Sequence, residues 1–483
     1  MTDPPVVRVD GRALTCADVA SVASGAARAE LDDSAVSRAE QSWQLAGDLA
    51  SRRHVYGRTT GVGANRDEPV PPEAAGEHGL RLLRSHAGGG GDPLPPEHVR
   101  AMLVIRLNQL ATGRSGAHPR LLTALAHALA DGALPLVHRF GGIGTGDLTA
   151  LAETGLALAG ERPWQAGELP PIRIDSSDAL AFMSSNAATL AEAALVCVEL
   201  NRLLRASHGV AALSYVALDG SPEAYATPVH EARPHPGQVE CAAEIRRLLG
   251  MHGVAKPGSR LQDPYGLRAF PQVQGPALDT RRYLEQVLEI EINASAENPM
   301  VSVEVGNVFH HAHFHTAYVA LALDQVRAAL HSVAELSAAR LGDLVEPSFT
   351  GLPPFLASGP AGSSGVMILE YLAHDTLAQL RQAALPVTLG TAVVSRGMED
   401  HASFSTQAAR QTTAAAAAYR QVLACELVAA VRALRMRRAE LLDIPARGVL
   451  ELASEQLSDD LADRSLTEDV RRAAALLPRL ADL

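Results

Sequence analysis

The chain has 483 residues, of which 47% are hydrophobic and 20% are charged, and its formal net charge at pH 7 is −12. A nucleic-acid-binding surface, which needs a basic patch, is therefore not expected. All but one of the 42 basic residues are arginine, and the single lysine, Lys256, lies in a loop-like Ala-Lys-Pro-Gly stretch. Chemistry that depends on a lysine Schiff base, as with pyridoxal phosphate, is close to excluded.

The cysteines indicate the compartment. Cys16, Cys197, Cys241 and Cys425 are far apart and form no CxxC pair, which disfavours a disulfide framework or a zinc ribbon and favours a reducing environment. The N-terminal residues show neither the basic nor the apolar region of a signal peptide. No uncharged apolar run reaches the roughly 18 residues of a membrane span. We therefore expect a soluble, cytoplasmic protein with no membrane partner.

The predicted elements change in character along the chain. A strand is predicted at Val6–Val9, and Gly and Pro interrupt short helical patches throughout the first 160 residues. Long Ala/Leu-rich segments with helical spacing follow at 187–206, 317–339 and 405–442, and a hairpin turn is predicted at Gly306-Asn307. The chain is predicted to be mainly α, with a smaller mixed N-terminal region over residues 1–190 and a long-helix bundle over residues 191–483.

The densest glycine cluster runs from Gly141 to Asp147. It has neither the GxGxxG nor the GK[ST] spacing, so no nucleotide cofactor is predicted. A plain turn, with Asp147 capping the next helix, is one interpretation.

Two later segments contain candidate site residues. Tyr265 and Arg268 would lie on the same side of one helical turn, where a guanidinium can bind a substrate carboxylate and a phenol can transfer a proton. In an extended segment His311, His313 and His315 would share a face, as metal ligands can. Because no acidic ligand lies nearby in the sequence, we assign no metal there.

Together these segments resemble the aromatic amino acid ammonia-lyase and aminomutase family, and histidine ammonia-lyase most closely. The matching segments occur in family order and are Tyr56-Gly57 with Thr60-Gly61, Leu83 to Gly88, Gly113 with Ser115-Gly116, Gly146-Asp147-Leu148, Gln262 to Arg268, Pro271-Gln272-Val273, Glu297-Asn298-Pro299, Gly351 to Leu356, and Glu399-Asp400-His401. The resemblance implies a carbon–nitrogen lyase or aminomutase with the helical fold of the ammonia-lyase and fumarase type. It also implies a homotetramer whose active sites combine residues of several subunits and bind a small amino-acid-like substrate.

The same motifs imply roles for individual residues. By position, the catalytic residues are Tyr56, Tyr265, Glu399 and Thr145, while His86, Arg268, Gln262, Phe314, Ser184 and His313 are the substrate-binding residues. Ser184 and His313 stand where the family has asparagine. Ser85-His86 matches the pair typical of the histidine-specific branch, which favours a substrate with a polar or imidazole side chain.

The segment Gly144-Thr145-Gly146 departs from the family pattern. Family members form an imidazolone electrophile from Ala-Ser-Gly by attack of the glycine nitrogen on the first carbonyl and loss of two waters. Dehydration of Thr145 would leave an ethylidene whose methyl group shields the carbon that an amine must attack. Three hypotheses follow: a lyase with a threonine-derived electrophile, an enzyme on the same scaffold that uses acid–base or metal-assisted chemistry without it, and a non-catalytic relative.

Overall fold

The computed structural model describes residues 4–253, 255, 258–437 and 444–483. Lys256 and the last five residues of the segment predicted at 405–442 lie outside the described residues.

Helices dominate the described part of the chain, so the mainly α prediction is confirmed. The α-helices are α1 (Cys16–Ala23), α2 (Asp33–Ala50), α3 (Ala75–His86), α4 (Pro96–Ala111), α5 (Arg120–Asp131), α6 (Leu148–Leu158), α7 (Ala179–Met183), α8 (Ala187–Ala217), α9 (Thr227–Glu231), α10 (Pro236–Leu248), α11 (Tyr265–Arg268), α12 (Phe270–Ile292), α13 (Ala317–Val345), α14 (Pro347–Thr350), α15 (Ile368–Ala383), α16 (Ser405–Arg437), α17 (Ala446–Gln456) and α18 (Thr467–Leu480). Short 3-10 turns occur at Gly63–Asn65, Pro72–Ala74, Pro222–Tyr225, Pro354–Leu356 and Ser395–Gly397.

The strands are short and pair two by two. They are β1 (Val6–Val9), β2 (Arg28–Leu31), β3 (Gly90–Pro93), β4 (Leu134–Pro135), β5 (His138–Phe140), β6 (Trp164–Ala166), β7 (Met300–Ser302) and β8 (Asn307–Phe309). β1 pairs with β2 in parallel, and the other pairs, β3–β5, β4–β6 and β7–β8, are antiparallel. The strand at β1 and the hairpin that turns at Gly306 were both predicted and are confirmed.

The chain divides into two compact units. Unit 1 comprises Met1–Val198, Leu284–Asp324 and Pro386–Arg410, and unit 2 comprises Glu199–Tyr283, Gln325–Leu385 and Gln411–Leu483. Both units are discontinuous in sequence because α8, α12, α13 and α16 each contribute residues to both. The predicted boundary at residue 190 stays a prediction.

In unit 1, α4 forms the centre of the core. It packs against α1 and α5, and its residues are buried without a break from Ala101 to Ala111. The buried Arg106 donates from Nε to the carbonyl of Phe182 at 2.9 Å and from Nη1 to Glu297 at 2.8 Å. A buried guanidinium needs such partners. These bonds anchor α7 and thereby position Ser184, which follows it.

Helix α6 packs against α3 and α7. Helix α3 ends at His86, and Ser184 follows α7 directly. Helix α6 itself begins directly after the glycine-rich segment. The packing of these three helices therefore determines where that segment, His86 and Ser184 lie.

In the part of the chain that the structure describes, two helical stretches are long and apolar enough to cross a membrane. They are Ala179–Ala217 and Ser405–Arg437, and 78% of each apolar window is buried within the molecule. The core helices of soluble proteins can be as long and apolar, so the burial favours a core role for both stretches.

Candidate active site

The centre of the site is the loop that precedes α6. Gly144 and Gly146 have φ values of +83° and +108°, a region that glycine adopts without strain. The two glycines flank Thr145, which lies in the wall of a cavity in unit 1.

The carbonyl oxygen of Gly144 accepts three hydrogen bonds. Thr316 donates to it from Oγ1 at 3.1 Å and from its backbone N–H at 3.3 Å, and Ser403 donates from Oγ at 2.9 Å. Thr316 Oγ1 is in turn 2.7 Å from Ser405 Oγ. These side chains are buried. One backbone carbonyl thus has an unusually dense set of donors.

The neighbouring amide is held as firmly. Gly146 donates its N–H to Oδ1 of Asn186 at 3.0 Å, and Asn186 donates from Nδ2 to the carbonyl of Phe314 at 2.6 Å. Asn186 is buried. Its side chain therefore links the glycine-rich loop to the segment that contains Phe314.

Asp147 does not cap α6 through its side chain, so that interpretation was wrong. Its carboxylate accepts the backbone N–H of Thr189 at 2.7 Å and the Thr189 hydroxyl at 2.9 Å, in the first turn of α8. Because α8 begins close by, the carboxylate satisfies donors there instead. Burial raises the pKa of Asp147 to about 6, although both hydrogen bonds oppose the shift.

The amino-terminal ends of four helices meet at this loop. α6 starts at Leu148, α8 at Ala187, α13 at Ala317 and α16 at Ser405. The amino-terminal end of a helix carries a partial positive charge. Such an end favours a negative charge close to it, as the Asp147 carboxylate at the first turn of α8 illustrates.

The cavity has a volume of about 250 Å³. Its wall contains most of the unit 1 residues predicted for the site, together with residues that the sequence did not reveal. The lining comprises Tyr56, Val62, Gly63, Ala64, Asn65, His86, Thr145, Leu148, Leu180, Met183, Ser184, Asn298, Phe314, Ser395 and Glu399. Among these lining residues Glu399 is the only Asp, Glu, Lys or Arg, so the cavity favours a cationic group such as an ammonium.

Tyr56 is held in place through its oxygen, which accepts the N–H of Gly63 at 2.6 Å. Burial is the main cause that raises the pKa of Tyr56 above its ordinary value, and the nearby Glu399 carboxylate adds to the shift. The bond from Gly63 opposes it because it favours the phenolate. Tyr56 is therefore a protonated phenol at neutral pH.

Glu399 follows a strained turn. Ser395 and Arg396 have φ values of +53° and +56°, and the N–H of Val394 donates to the carbonyl of Glu399 at 2.8 Å. Ser395 Oγ also accepts the N–H of Ala64 at 2.9 Å. Non-glycine residues adopt such φ values at a cost when the surrounding structure enforces them, which often happens at functional sites.

His86 presents one ring nitrogen as an acceptor. Its Nδ1 lies 2.8 Å from the carbonyl of Leu82 and 3.0 Å from Ser85 Oγ. Since a carbonyl can only accept, Nδ1 carries the proton in the neutral ring, and Nε2 accepts hydrogen bonds. His86 can therefore pair with an N–H or O–H group of a substrate side chain.

The histidine segment is not extended. His315 donates its N–H to the carbonyl of Ala312 at 2.9 Å in a turn, and its Nε2 lies 2.9 Å from Nδ1 of His401. His313 donates its N–H to Nδ1 of His311. The condition under which these three histidines would share a face, an extended segment, is therefore not met. His313 is not part of the cavity wall, and no group of three metal-ligating side chains occurs in the part of the chain that the structure describes.

The remaining predicted residues belong to unit 2. Tyr265 and Arg268 form α11, the single helical turn that was predicted, with the guanidinium 4.4 Å from the ring centre. Tyr265 is 68% exposed, and Gln262 is exposed as well. These residues are not among those that line the cavity of unit 1.

Sequence reasoning missed Asn186, Thr316, Ser403 and Ser395. Asn186 and Thr316 directly precede α8 and α13, and Ser403 lies two residues before α16. Ser, Thr and Asn are common at such positions as caps, so helix-start signals mark them but give no hint that they converge.

The chain is similar to proteins of known activity. The model of the family described as aromatic amino acid lyase matches residues 14–457. Histidine ammonia-lyase of Geobacillus kaustophilus is 34% identical over 451 residues, which cover 90% of this chain and 89% of that protein.

Solved structures give the same result. The ergothioneine-degrading enzyme ergothionase of Treponema denticola superposes with a TM-score of 0.91 at 26% identity, covering 99% of this chain and 100% of that one. Tyrosine aminomutase of Streptomyces globisporus superposes with a TM-score of 0.91 at 27% identity, covering 99% of this chain and 97% of that one.

Proposed function

The chain belongs to the aromatic amino acid lyase family, and we propose that it eliminates or moves the amine of an amino acid with a polar or imidazole side chain, using an electrophile derived from Thr145. As a family member it is a carbon–nitrogen lyase or aminomutase. The observation that supports the proposal most is that Thr145 lines the same cavity as Tyr56, His86 and Glu399.

The residues present fit an imidazolone group. Gly144-Thr145-Gly146 would form it, the donors on the Gly144 carbonyl would hold its oxygen-bearing precursor, and Thr145 would expose its side-chain carbon to the cavity. Such a group supplies an electrophile that makes a substrate amine a better leaving group.

The other residues bind the substrate and move protons. Glu399 attracts the substrate ammonium, and His86 accepts a hydrogen bond from the polar side chain. The ammonium also offsets the negative charge that raises the pKa of Tyr56. The phenol then loses its proton more readily and can take one from the substrate carbon, with the Gly63 N–H stabilising the phenolate. Tyr265 and Arg268, with Gln262, are proposed to bind the carboxylate, on the strength of the family motif.

The first test uses Thr145. The purified protein is incubated with L-histidine and a panel of other polar amino acids while ammonia release and the absorbance of an unsaturated product are followed. Thr145→Ala should abolish turnover. Thr145→Ser should raise it, because the shielding methyl group is removed. Full turnover by Thr145→Ala on an amino acid with a free amine would refute the proposal.

A second candidate is elimination without the electrophile. A betaine such as ergothioneine carries a quaternary ammonium, which has no N–H to react with an electrophile and is itself a good leaving group. The single carboxylate of Glu399 suits such a cation, and the likeness to ergothionase points to this substrate class. If this candidate is right, Thr145→Ala retains turnover on the betaine while Tyr56→Phe loses it.

We further propose that the protein is a cytoplasmic homotetramer. Large apolar side chains are exposed on single helices, including Tyr318 and Leu321 on α13 and Ile368 and Tyr371 on α15, each at least 55% exposed. Exposed apolar patches of this kind are typical of subunit interfaces. Light scattering of the purified protein tests the subunit number.

A further inference from the structure

The Gly144 carbonyl is unusual in the number of its donors. A backbone carbonyl normally accepts one or two bonds, whereas this oxygen accepts two hydroxyls and one N–H, from Thr316 and Ser403. Donors aimed at a carbonyl oxygen draw electron density from its carbon and stabilise negative charge that develops on the oxygen. The site is buried, so water does not screen this effect.

Asn186 holds a second backbone group of the loop, the N–H of Gly146. Its Oδ1 accepts the Gly146 N–H at 3.0 Å, and its orientation is fixed because Nδ2 donates to Phe314. An acceptor on the N–H draws the proton away from the nitrogen and makes that nitrogen a better nucleophile. The electrophilic carbon and the nucleophilic nitrogen are thus held by side chains from three separate segments.

The packing around Gly144 is matched to these donors. A Cβ atom at this position would overlap Ser403 Oγ and lie 2.8 Å from the backbone nitrogen of Ser405. The alanine that the family pattern has in this place does not fit while Ser403 points at the carbonyl. A Ser403 side chain that points at this carbonyl therefore requires glycine at position 144.

We propose that Thr316, Ser403 and Asn186 are positioning residues for a backbone cyclisation between Gly144 and Gly146. The inference rests on the proposed function, because it concerns how that electrophile forms. The Gly146 nitrogen bonds to the Gly144 carbonyl carbon. The Gly144 oxygen leaves as water with the protons of the Gly146 and Thr145 amides. The Thr145 hydroxyl leaves as a second water with the Cα proton of the same residue, and no oxidant is consumed.

Different side chains act on the two groups that form the first bond, the Gly144 carbonyl and the Gly146 amide. The hydroxyls of Thr316 and Ser403 stabilise the oxygen as the carbonyl carbon becomes tetrahedral, and Ser405, bonded to Thr316 Oγ1, turns the Thr316 proton toward that oxygen. Asn186 holds the Gly146 amide in one orientation through its hydrogen bond to the N–H.

The experiment follows the conversion itself and does not depend on substrate. The full chain is made by cell-free synthesis, and the loss of two waters is followed by intact mass and by near-UV absorbance. The variants are Ser403→Ala, Thr316→Val, their double variant and Asn186→Ala. Thr154→Val is the matched control because Thr154 is buried on α6 and its hydroxyl donates to the carbonyl of Ala150, within the same helix.

Loss of donors should slow conversion on the order of a hundredfold in the double variant, with single variants in between and the control unchanged. Circular dichroism and the unfolding midpoint of each variant show whether it is folded. If Asn186→Ala fails to fold, the conservative Ser403→Ala variant still tests whether the donors on the Gly144 carbonyl speed the conversion. Conversion of the double variant at the wild-type rate overturns the inference while the proposed function stands.

The Thr145→Ser variant distinguishes a failure of the positioning role from a failure of the threonine-derived electrophile. If the wild-type chain keeps its full mass but Thr145→Ser loses two waters, and loses them slowly when combined with Ser403→Ala and Thr316→Val, the positioning role holds and the threonine-derived electrophile is refuted. If Thr145→Ser also keeps its full mass, both are overturned.

Discussion

Replacing Gly144 with alanine is predicted to destabilise the protein and to do so through Ser403. The new Cβ would overlap Ser403 Oγ and lie 2.8 Å from the Ser405 nitrogen, at a residue with φ of +83°. The left-handed conformation costs a non-glycine residue about 1–2 kcal/mol, and overpacking costs about 1–3 kcal/mol. The free energy of unfolding should therefore fall by roughly 2–5 kcal/mol.

Urea titration of four proteins measures this effect: wild type, Gly144→Ala, Ser403→Gly and the double variant. Removing the Ser403 side chain gives the new methyl group room, so the two changes should couple by about 1 kcal/mol or more, while the strain of the backbone remains. Gly132→Ala is a matched control, since Gly132 also has a positive φ, of +69°, but has no heavy atom within 4 Å of its Cβ position. A Gly144→Ala variant that is no less stable than Gly132→Ala, or an additive double variant, would refute the packing argument.

Three further predictions concern single carboxylates and a phenol. Glu399→Gln should raise KM for an amino acid about tenfold to a hundredfold, as expected for the loss of a charge-assisted contact worth roughly 1.5–3 kcal/mol, whereas an unchanged KM would remove Glu399 from ammonium binding. Tyr56→Phe should lower kcat by about 10²–10⁴-fold. Because Glu399 raises the pKa of Tyr56, the rising limb of the pH–rate profile should move to lower pH in Glu399→Gln. A limb that stays in place would contradict this coupling. Asp147 has a folded-state pKa raised from 3.8 to about 6, so its contribution to stability is complete below pH 4 and is lost as pH rises through 6, an effect of about 3 kcal/mol. Asp147→Asn should abolish that pH dependence in urea titrations, and an unaltered dependence would assign it to other groups.

The sequence was sufficient to predict elements whose cause is local. The Ala/Leu-rich segments became α8, α13 and α16, and the turn at Gly306 became the β7–β8 hairpin. Helix α12 did not stand out because Pro276 lies inside it and interrupts the helical signal.

The site was predicted only where a motif marks it. Tyr56, His86, Thr145 and Glu399, which the family motifs mark, line one cavity, and their roles stay predictions. Thr316, Ser403 and Asn186 are ordinary hydroxyl and amide residues, and their roles arise from packing that joins distant segments. Asp147 shows the same limit, since its position before α6 predicted a cap there, whereas the first turn of α8 lies within its reach.

The proposed function depends on Thr145 as the source of the electrophile. The most direct measurement is the mass of the proteolytic peptide that contains Gly144-Thr145-Gly146, taken from protein that turns over an amino acid with a free amine. We expect a peptide lighter than its sequence by two waters, in proportion to the fraction of active protein. A peptide of full sequence mass from fully active protein would contradict it.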